Sequence, residues 1–285
     1  MIRSTRVRVV LLSALAAGLA ACGADSPTAP FPVADAALAG YMAGDAANAV
    51  GSQLALFSDE GTSGKAVYPA SVSDPRMLTP LAITVTCTGP DASGWTTCNG
   101  TNNTAPNNLT FKRAFRFLDA NNAPLPAYST SVAAIEHTSQ LGGTIVPTAT
   151  TATDTIWVNR ADTAKVAINR ASSPEQHTWN ASGHRSDSMR VVDGTATRRW
   201  KTDATTKVQN LAFNMPRTTY KYPIGGTITH DMNTTFSAVD GTQTFTKSVA
   251  KSVVVTFNGT NTATMQVGAL TCSLNLDTRA VSNCH

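Results

Sequence analysis

The chain has 285 residues, which is enough for one large domain or two small ones with a substantial core. Its formal net charge is +4, but no basic run or stripe accompanies that excess, so no nucleic acid partner is expected. Charged residues make up only 14%, and Thr, Ser and Asn supply most of the polarity, which is typical of exposed strand faces and not of a helical bundle.

The N-terminal segment has the composition of a signal peptide. Arg3, Arg6 and Arg8 form its positive part, and the apolar run from Val9 to Leu19 follows directly. This run is too short to cross a bilayer, which requires about 20 apolar residues, but it fits the hydrophobic part of a secretory signal. Without these three arginines the chain keeps 19 basic and 18 acidic residues, so the exported protein is nearly neutral.

The sequence Leu19-Ala20-Ala21-Cys22 resembles the lipobox of bacterial lipoproteins, and the resemblance is confined to the N-terminal segment. In that family the signal peptide, here residues 1–21, is removed, and a diacylglycerol is joined to the cysteine thiol. The resemblance implies a palmitate-type acyl anchor at Cys22, through which the protein is held on a membrane of the cell envelope.

Gly23 replaces the Asp that retains some lipoproteins at the inner membrane, so we expect the outer membrane, on its periplasmic or surface face. An ordinary secretory signal with a chance cysteine is the alternative.

Two short segments follow the anchor. Residues 22–32 contain three prolines among small polar residues and predict a flexible tether. Residues 33–58 are rich in alanine, and Leu38, Met42 and Leu54 recur at approximately helical intervals. We expect one N-terminal helix, weakened by glycines, that packs on the body. A helix face that binds a partner is the alternative.

Residues 59–285 predict one antiparallel β domain. Apolar and polar residues alternate over 81–86 and 111–117, and residues 119–124 have the composition of a turn. Residues 87–108 are dense in Gly, Pro, Asn and Thr and predict a long disulfide-tied loop. Further short strands are expected at 131–138, 155–159 and 165–170.

The C-terminal part has the clearest strand pattern, with predicted strands at 177–192, 195–202, 208–214, 227–239, 242–257 and 262–276. Asp193-Gly194, Asp240-Gly241 and Asn258-Gly259 separate neighbouring segments, and such pairs favour tight hairpin turns because both central residues need positive φ. The apolar parity changes near Gly268, which predicts a β-bulge or kink there. Long, one-sided strands predict a strongly curled antiparallel meander, either a barrel or a half-barrel with the helix packed on it.

Five cysteines are present. Once Cys22 carries the lipid, four remain, and an oxidising compartment favours two disulfides. Three pairings are possible, and we favour Cys87–Cys98 with Cys272–Cys284 because each closes a short, turn-rich segment. A metal site is the alternative, but the spacings lack the close C-x2-C pairs of zinc sites, so neither a metal nor another cofactor is expected.

The sequence lacks the common catalytic patterns G-x-S-x-G and H-E-x-x-H and the dinucleotide glycine fingerprint, so no catalytic residue is assigned. Ser248 and Lys251 match S-x-x-K, but a strand would direct them to opposite faces. His177 and His184 are expected on opposite faces for the same reason. The four tryptophans are expected in core or rim packing, with pocket lining as the alternative.

These features together predict a non-enzymatic, lipid-anchored binding or structural domain with a partner in the envelope. The first alternative is a carrier of an apolar ligand, similar in shape alone to periplasmic lipoprotein-handling half-barrels. The second is a hydrolase whose site is assembled only in the fold. An apolar cavity under the helix would favour the carrier, and a histidine bonded to Asp beside Ser would favour the enzyme.

Overall fold

The computed structural model describes residues 40–54 (without 41, 45, 48, 52 and 53), 71–72, 81–82, 84–102, 107–146, 155–193 and 196–285. The predicted signal peptide, the tether and Cys22 lie outside the described residues. Within them, no helix is both long enough and apolar enough to cross a membrane.

The described part contains one helix, α1, whose residues lie between positions 40 and 54. The strands are β1 (Ser71–Val72), β2 (Leu81–Ala82), β3 (Thr84–Thr88), β4 (Thr96–Asn102), β5 (Asn108–Leu118), β6 (Pro124–Leu125), β7 (Ala134–Ile145), β8 (Thr155–Asn169), β9 (Gln176–Asp193), β10 (Ala196–Asn214), β11 (Gly225–Asp240), β12 (Gln243–Thr256), β13 (Thr262–Val267), β14 (Leu270–Asn275) and β15 (Val281–Ser282).

Strands β3 to β15 form one antiparallel sheet of 13 strands. Their order is β15-β14-β13-β12-β11-β10-β9-β8-β7-β5-β4-β3, with β6 beside β5, so nearly every strand pairs with its neighbour in the chain. β1 and β2 form a separate pair. The prediction of a mainly β, antiparallel meander is confirmed. β3 and β15 stand at opposite ends of the order and do not pair in the described structure, so the sheet is open and not a closed barrel.

The long C-terminal strands agree with prediction except where polar side chains interrupt the apolar alternation. The predicted strands 195–202 and 208–214 are one strand, β10, and 155–159 and 165–170 are one strand, β8. Asp162 and Thr206 occupy positions on the inner face in these gaps, and they are paired with Gly183 of β9 between them. The sheet therefore continues through segments whose composition indicates a loop.

Two predicted features are wrong. Residues 87–108 do not form a long loop but mainly the hairpin β3–β4, closed by a turn at Asp91–Gly94. The predicted strand 262–276 is two strands, and Gly268 lies in a tight turn with φ of 61° that joins Val267 to its partner Leu270. A hairpin reverses the chain, so odd-numbered residues can be buried in one strand and even-numbered residues in the next. The change of parity near Gly268 is therefore caused by a hairpin and not by a β-bulge or kink.

One face of the sheet is buried against α1. Met42, Ala46 and Val50 of α1 are each at most 1% exposed, and their spacing of four residues puts them on one side of the helix. They pack with Trp179 and Ile228 of the sheet in what we call the helix-side cluster. Farther along the same face lies a second apolar group, the distal cluster, formed by Leu109, Ile156, Met189, Trp200 and Phe236 with their neighbours.

Candidate functional site

The outer face of the sheet, opposite α1, carries a shallow open groove of about 490 Å³ across β9 to β12. Four directly paired residues cross it as one row: His184, Thr205, Asp231 and Ser252. The neighbouring row adds the side chains of Asp203, Asn233 and Ala250. Because strand side chains alternate between faces, these polar residues are the outward partners of the buried apolar ones. We call this site the outer groove.

Asp203 is the most strongly held side chain of the outer groove. The hydroxyl of Ser186 donates a hydrogen bond to its Oδ1 at 2.6 Å, and Nζ of Lys201 lies 3.0 Å from its Oδ2. The hydrogen bond from Ser186 lowers the pKa of Asp203, partial burial opposes this effect, and Lys201 and His184 add to the lowering. Asp203 is therefore an ionised acceptor at neutral pH.

The geometry of the outer groove favours hydrogen bonding over the chemistry of a hydrolase. Ser186 donates directly to Asp203, and no hydrogen bond joins His184 to a carboxylate in the described structure. A serine activated by a histidine that a carboxylate orients is therefore not assembled there. Across the described ranges, no group of three or more His, Cys, Asp or Glu side chains is suited to hold a metal ion.

A second polar region, the inner polar belt, lies on the inner face between the two apolar clusters. Arg160 binds Asp187 through Nη2 at 2.6 Å and through Nε at 3.1 Å, and the side chain of Asp187 is only 6% exposed. Thr202 and Thr234 share a hydrogen bond of 3.1 Å, fully inside the protein. These contacts satisfy polar groups in the interior and join adjacent strands in a single register, so we assign the belt a structural role.

The buried histidines also lie on the inner face. The His137 ring packs edge-on against Trp179, and burial, followed by the charge of Arg113, lowers the pKa of His137 to about 3. His177 bonds to Glu175 at 2.8 Å, while burial lowers its pKa against the opposing effect of Glu175. His177 is buried and His184 is exposed, which confirms that they lie on opposite faces.

The described cysteines pair locally, in agreement with the prediction. Cys87 and Cys98 are directly opposite in the hairpin β3–β4, with Cα atoms 4.0 Å apart, and form a disulfide. Cys272 of β14 is joined to Cys284, with Cα atoms 4.1 Å apart, which ties the C-terminal residues to the sheet.

Two of the tryptophans have the core role that the sequence predicts. Trp179 and Trp200 are 1% and 2% exposed, so they pack in the two apolar clusters and do not line the outer groove. Trp95 lies in the turn between β3 and β4, where the guanidinium of Arg116 stacks 4.7 Å from its ring centre.

Sequence reasoning missed the outer groove because its residues come from four strands. Two of the three pairings have an approximate signal in the sequence. With Asp240-Gly241 and Asp193-Gly194 as the central residues of two-residue turns, Asp231 falls opposite Ala250 and His184 opposite Asp203, which is two residues from their observed partners Ser252 and Thr205. The connection between β10 and β11 is long, so the pairing of Thr205 with Asp231 has no comparable signal.

No protein-family model, curated protein or solved structure matches this chain.

Proposed function

We propose that this protein is a non-enzymatic binding module of the cell envelope, held at the membrane through an acyl anchor on Cys22. Residues 22–32 act as the tether, and the outer groove meets a polar, hydroxyl-rich envelope component such as a polysaccharide. The observation that carries the proposal is the outer groove itself, an open groove on the face that α1 leaves free, in which most of the lining residues have polar side chains.

The groove residues match a ligand that exchanges many hydrogen bonds. Asp203 and Asp231 present carboxylate acceptors, and the amide of Asn233 both donates and accepts. Thr205 and Ser252 add hydroxyl groups on the same surface. Lys201 already pairs with Asp203, and Lys251 lies beside Asp231 in the lining, so the carboxylates and the lysines nearly balance and a neutral polyhydroxylated chain fits better than a phosphate-rich one.

The carrier and the hydrolase are the competing proposals. A carrier needs a curled half-barrel with an apolar cavity under the helix, whereas Met42, Ala46 and Trp179 are fully buried and packed there. A hydrolase would need a serine whose proton is accepted by His184, whereas the hydroxyl of Ser186 donates its hydrogen bond to Asp203. A lipid found by native mass spectrometry on protein purified from its own host would support the carrier instead.

The test measures binding of soluble protein to the polysaccharide fraction of the host envelope by isothermal titration. The parent carries Cys22→Ser, so the anchor does not contribute. Asp231→Asn with Asn233→Ala is expected to weaken binding at least about tenfold, because two or more hydrogen bonds are lost.

The matched control is Thr235→Ala with Ser248→Ala, which removes an outer-face hydrogen bond of 2.8 Å beyond the outer groove. Equal binding by all three proteins would show that the outer groove is not the site. Absence of binding by the parent would refute the polysaccharide class.

A further inference from the structure

Strand β12 has a long free edge. It pairs with β11 along its whole length, from Gln243 to Thr256. β13 covers only Val253–Thr256 on the other side, because the chain turns back at Gly268. Within the part of the chain that the structure describes, residues 244–252 therefore have a strand partner on one side alone.

The backbone groups at this edge alternate in direction. Gly268 donates its N–H to the carbonyl of Ser252 at 3.4 Å, so the backbone groups of Ser252 face the β13 side. In an antiparallel strand every second residue faces the same way, which assigns outward N–H and C=O groups to Thr244, Thr246, Ser248 and Ala250. All four residues are exposed. A peptide group that faces water at an edge is a ready site for a further strand.

The geometry points to strand addition at this edge: we propose that residues 244–252 of β12 bind an extended, acidic segment of a partner protein. Main-chain hydrogen bonds would supply the affinity, and alternate side chains would supply the specificity. Lys247 and Lys251 lie on the same face of the edge, so carboxylates opposite them on the added strand complement their charge.

Charge also argues against a second copy of this chain as the occupant. An antiparallel copy that places Thr244 opposite Ser252 brings Lys247 of one chain diagonally beside Lys251 of the other, twice over. Like charges at such positions oppose pairing, and edge lysines are a common protection of native sheets against self-association. This site adjoins the outer groove, which Ala250, Lys251 and Ser252 also line, but it binds through in-plane backbone groups, whereas the groove presents side chains.

The probe is a synthetic nine-residue peptide with blocked ends, built of threonine and valine, with glutamates placed opposite Lys247 and Lys251 in antiparallel register. A lysine version of the same peptide is the control. Binding of the glutamate peptide to the Cys22→Ser protein is expected to slow hydrogen exchange at the amides of Thr244, Thr246, Ser248 and Ala250.

Thr246→Pro tests the backbone role. The backbone N–H of Thr246 does not bond to β11, so proline at this position is compatible with the fold. The substitution removes one backbone hydrogen bond to the peptide. Binding is expected to weaken about five- to tenfold, while Thr246→Ala leaves it unchanged. Lys251→Glu tests the charge and is expected to shift preference toward the lysine peptide, a readout that does not depend on the proline variant folding.

Equal binding of both peptides, no added protection of these amides at millimolar peptide, or self-association of the parent through β12 would each overturn the proposal. Polysaccharide binding at the outer groove is judged separately, because Asp231 and Asn233, which that test replaces, belong to β11 and not to the edge.

Discussion

At the scale of single residues, one demanding backbone position lies where β10 and β11 begin to diverge. The register of β10 shifts between Gln209 and Ala212, and Asn210 between them has φ of 50°. Gly226 of β11 faces this irregularity with φ of 97°, and a Cβ there would lie 2.4 Å from the carbonyl oxygen of Asn210. Only glycine satisfies both conditions without moving the backbone.

Gly226→Ala is therefore expected to lower the free energy of unfolding by about 2 kcal/mol or more, because it combines a backbone clash with a strained φ. The neighbouring Gly225→Ala is the matched control, since its Cβ would meet no atom within 4 Å. Urea unfolding of both variants measures the difference. Equal stability of the two would show that the close approach to Asn210 is not a constraint.

His137 makes stability depend on pH. Its pKa falls from 6.5 to about 3 in the folded protein because burial and Arg113 disfavour the charged ring, so the unfolded chain binds the proton more tightly. Stability contributed by the neutral ring is present above about pH 6.5 and is lost as the pH falls toward 3.

Between pH 7 and pH 5 the loss attributable to His137 is about 2 kcal/mol, from a slope of about 1.4 kcal/mol per pH unit. His137→Gln is expected to flatten the pH dependence of the free energy of unfolding, measured by urea titration, by that amount. An unchanged pH profile in His137→Gln would contradict the assignment.

At the scale of elements, the sequence predicts best where alternation and turn chemistry agree. β9, β11 and β12 lie close to their predicted bounds because apolar residues alternate along their inner positions, and β11 and β12 are joined by a tight turn in which Gly241 has positive φ. β8 and β10 were predicted as fragments because the inner polar belt replaces apolar residues with Arg160, Asp162 and Thr206 in mid-strand. The composition of one strand does not show which side chains on other strands pair with these polar groups.

The C-terminal element depends on the disulfide between Cys272 and Cys284. β15 has two residues and pairs with β14, and two backbone hydrogen bonds between Thr271 and His285 add to this short ladder. Replacing both cysteines by alanine is expected to lower the free energy of unfolding by about 3 kcal/mol, as for a closed loop of this length. Denaturant unfolding measures it, and an unchanged midpoint would show that the bond adds no stability.

At the scale of the whole molecule, the sheet is open, and in the described structure α1 covers one of its faces and leaves the other exposed. The sequence predicts an antiparallel sheet but not whether that sheet is open or closed, because a strand pattern specifies alternation and does not specify whether the first and last strands pair. The outer groove follows from the pairing of four strands, so it becomes visible only when the register is known.

The proposed anchor also belongs to this scale. Cys22→Ser is expected to move the protein from the membrane pellet to the soluble fraction, because it removes the thiol to which we propose that the acyl anchor is attached. Fractionation of host cells followed by immunoblotting measures this, with Cys87→Ser/Cys98→Ser as a control that keeps Cys22. Continued membrane retention of the Cys22→Ser protein would refute lipid anchoring.

The most direct test of the central claim maps the contact surface of the soluble Cys22→Ser protein by amide NMR during titration with envelope polysaccharide. The account predicts that perturbed signals cluster at Thr205, Asp231, Asn233 and Ser252 on the outer face. Perturbations confined to α1 and the helix-side cluster would contradict it and would support a carrier.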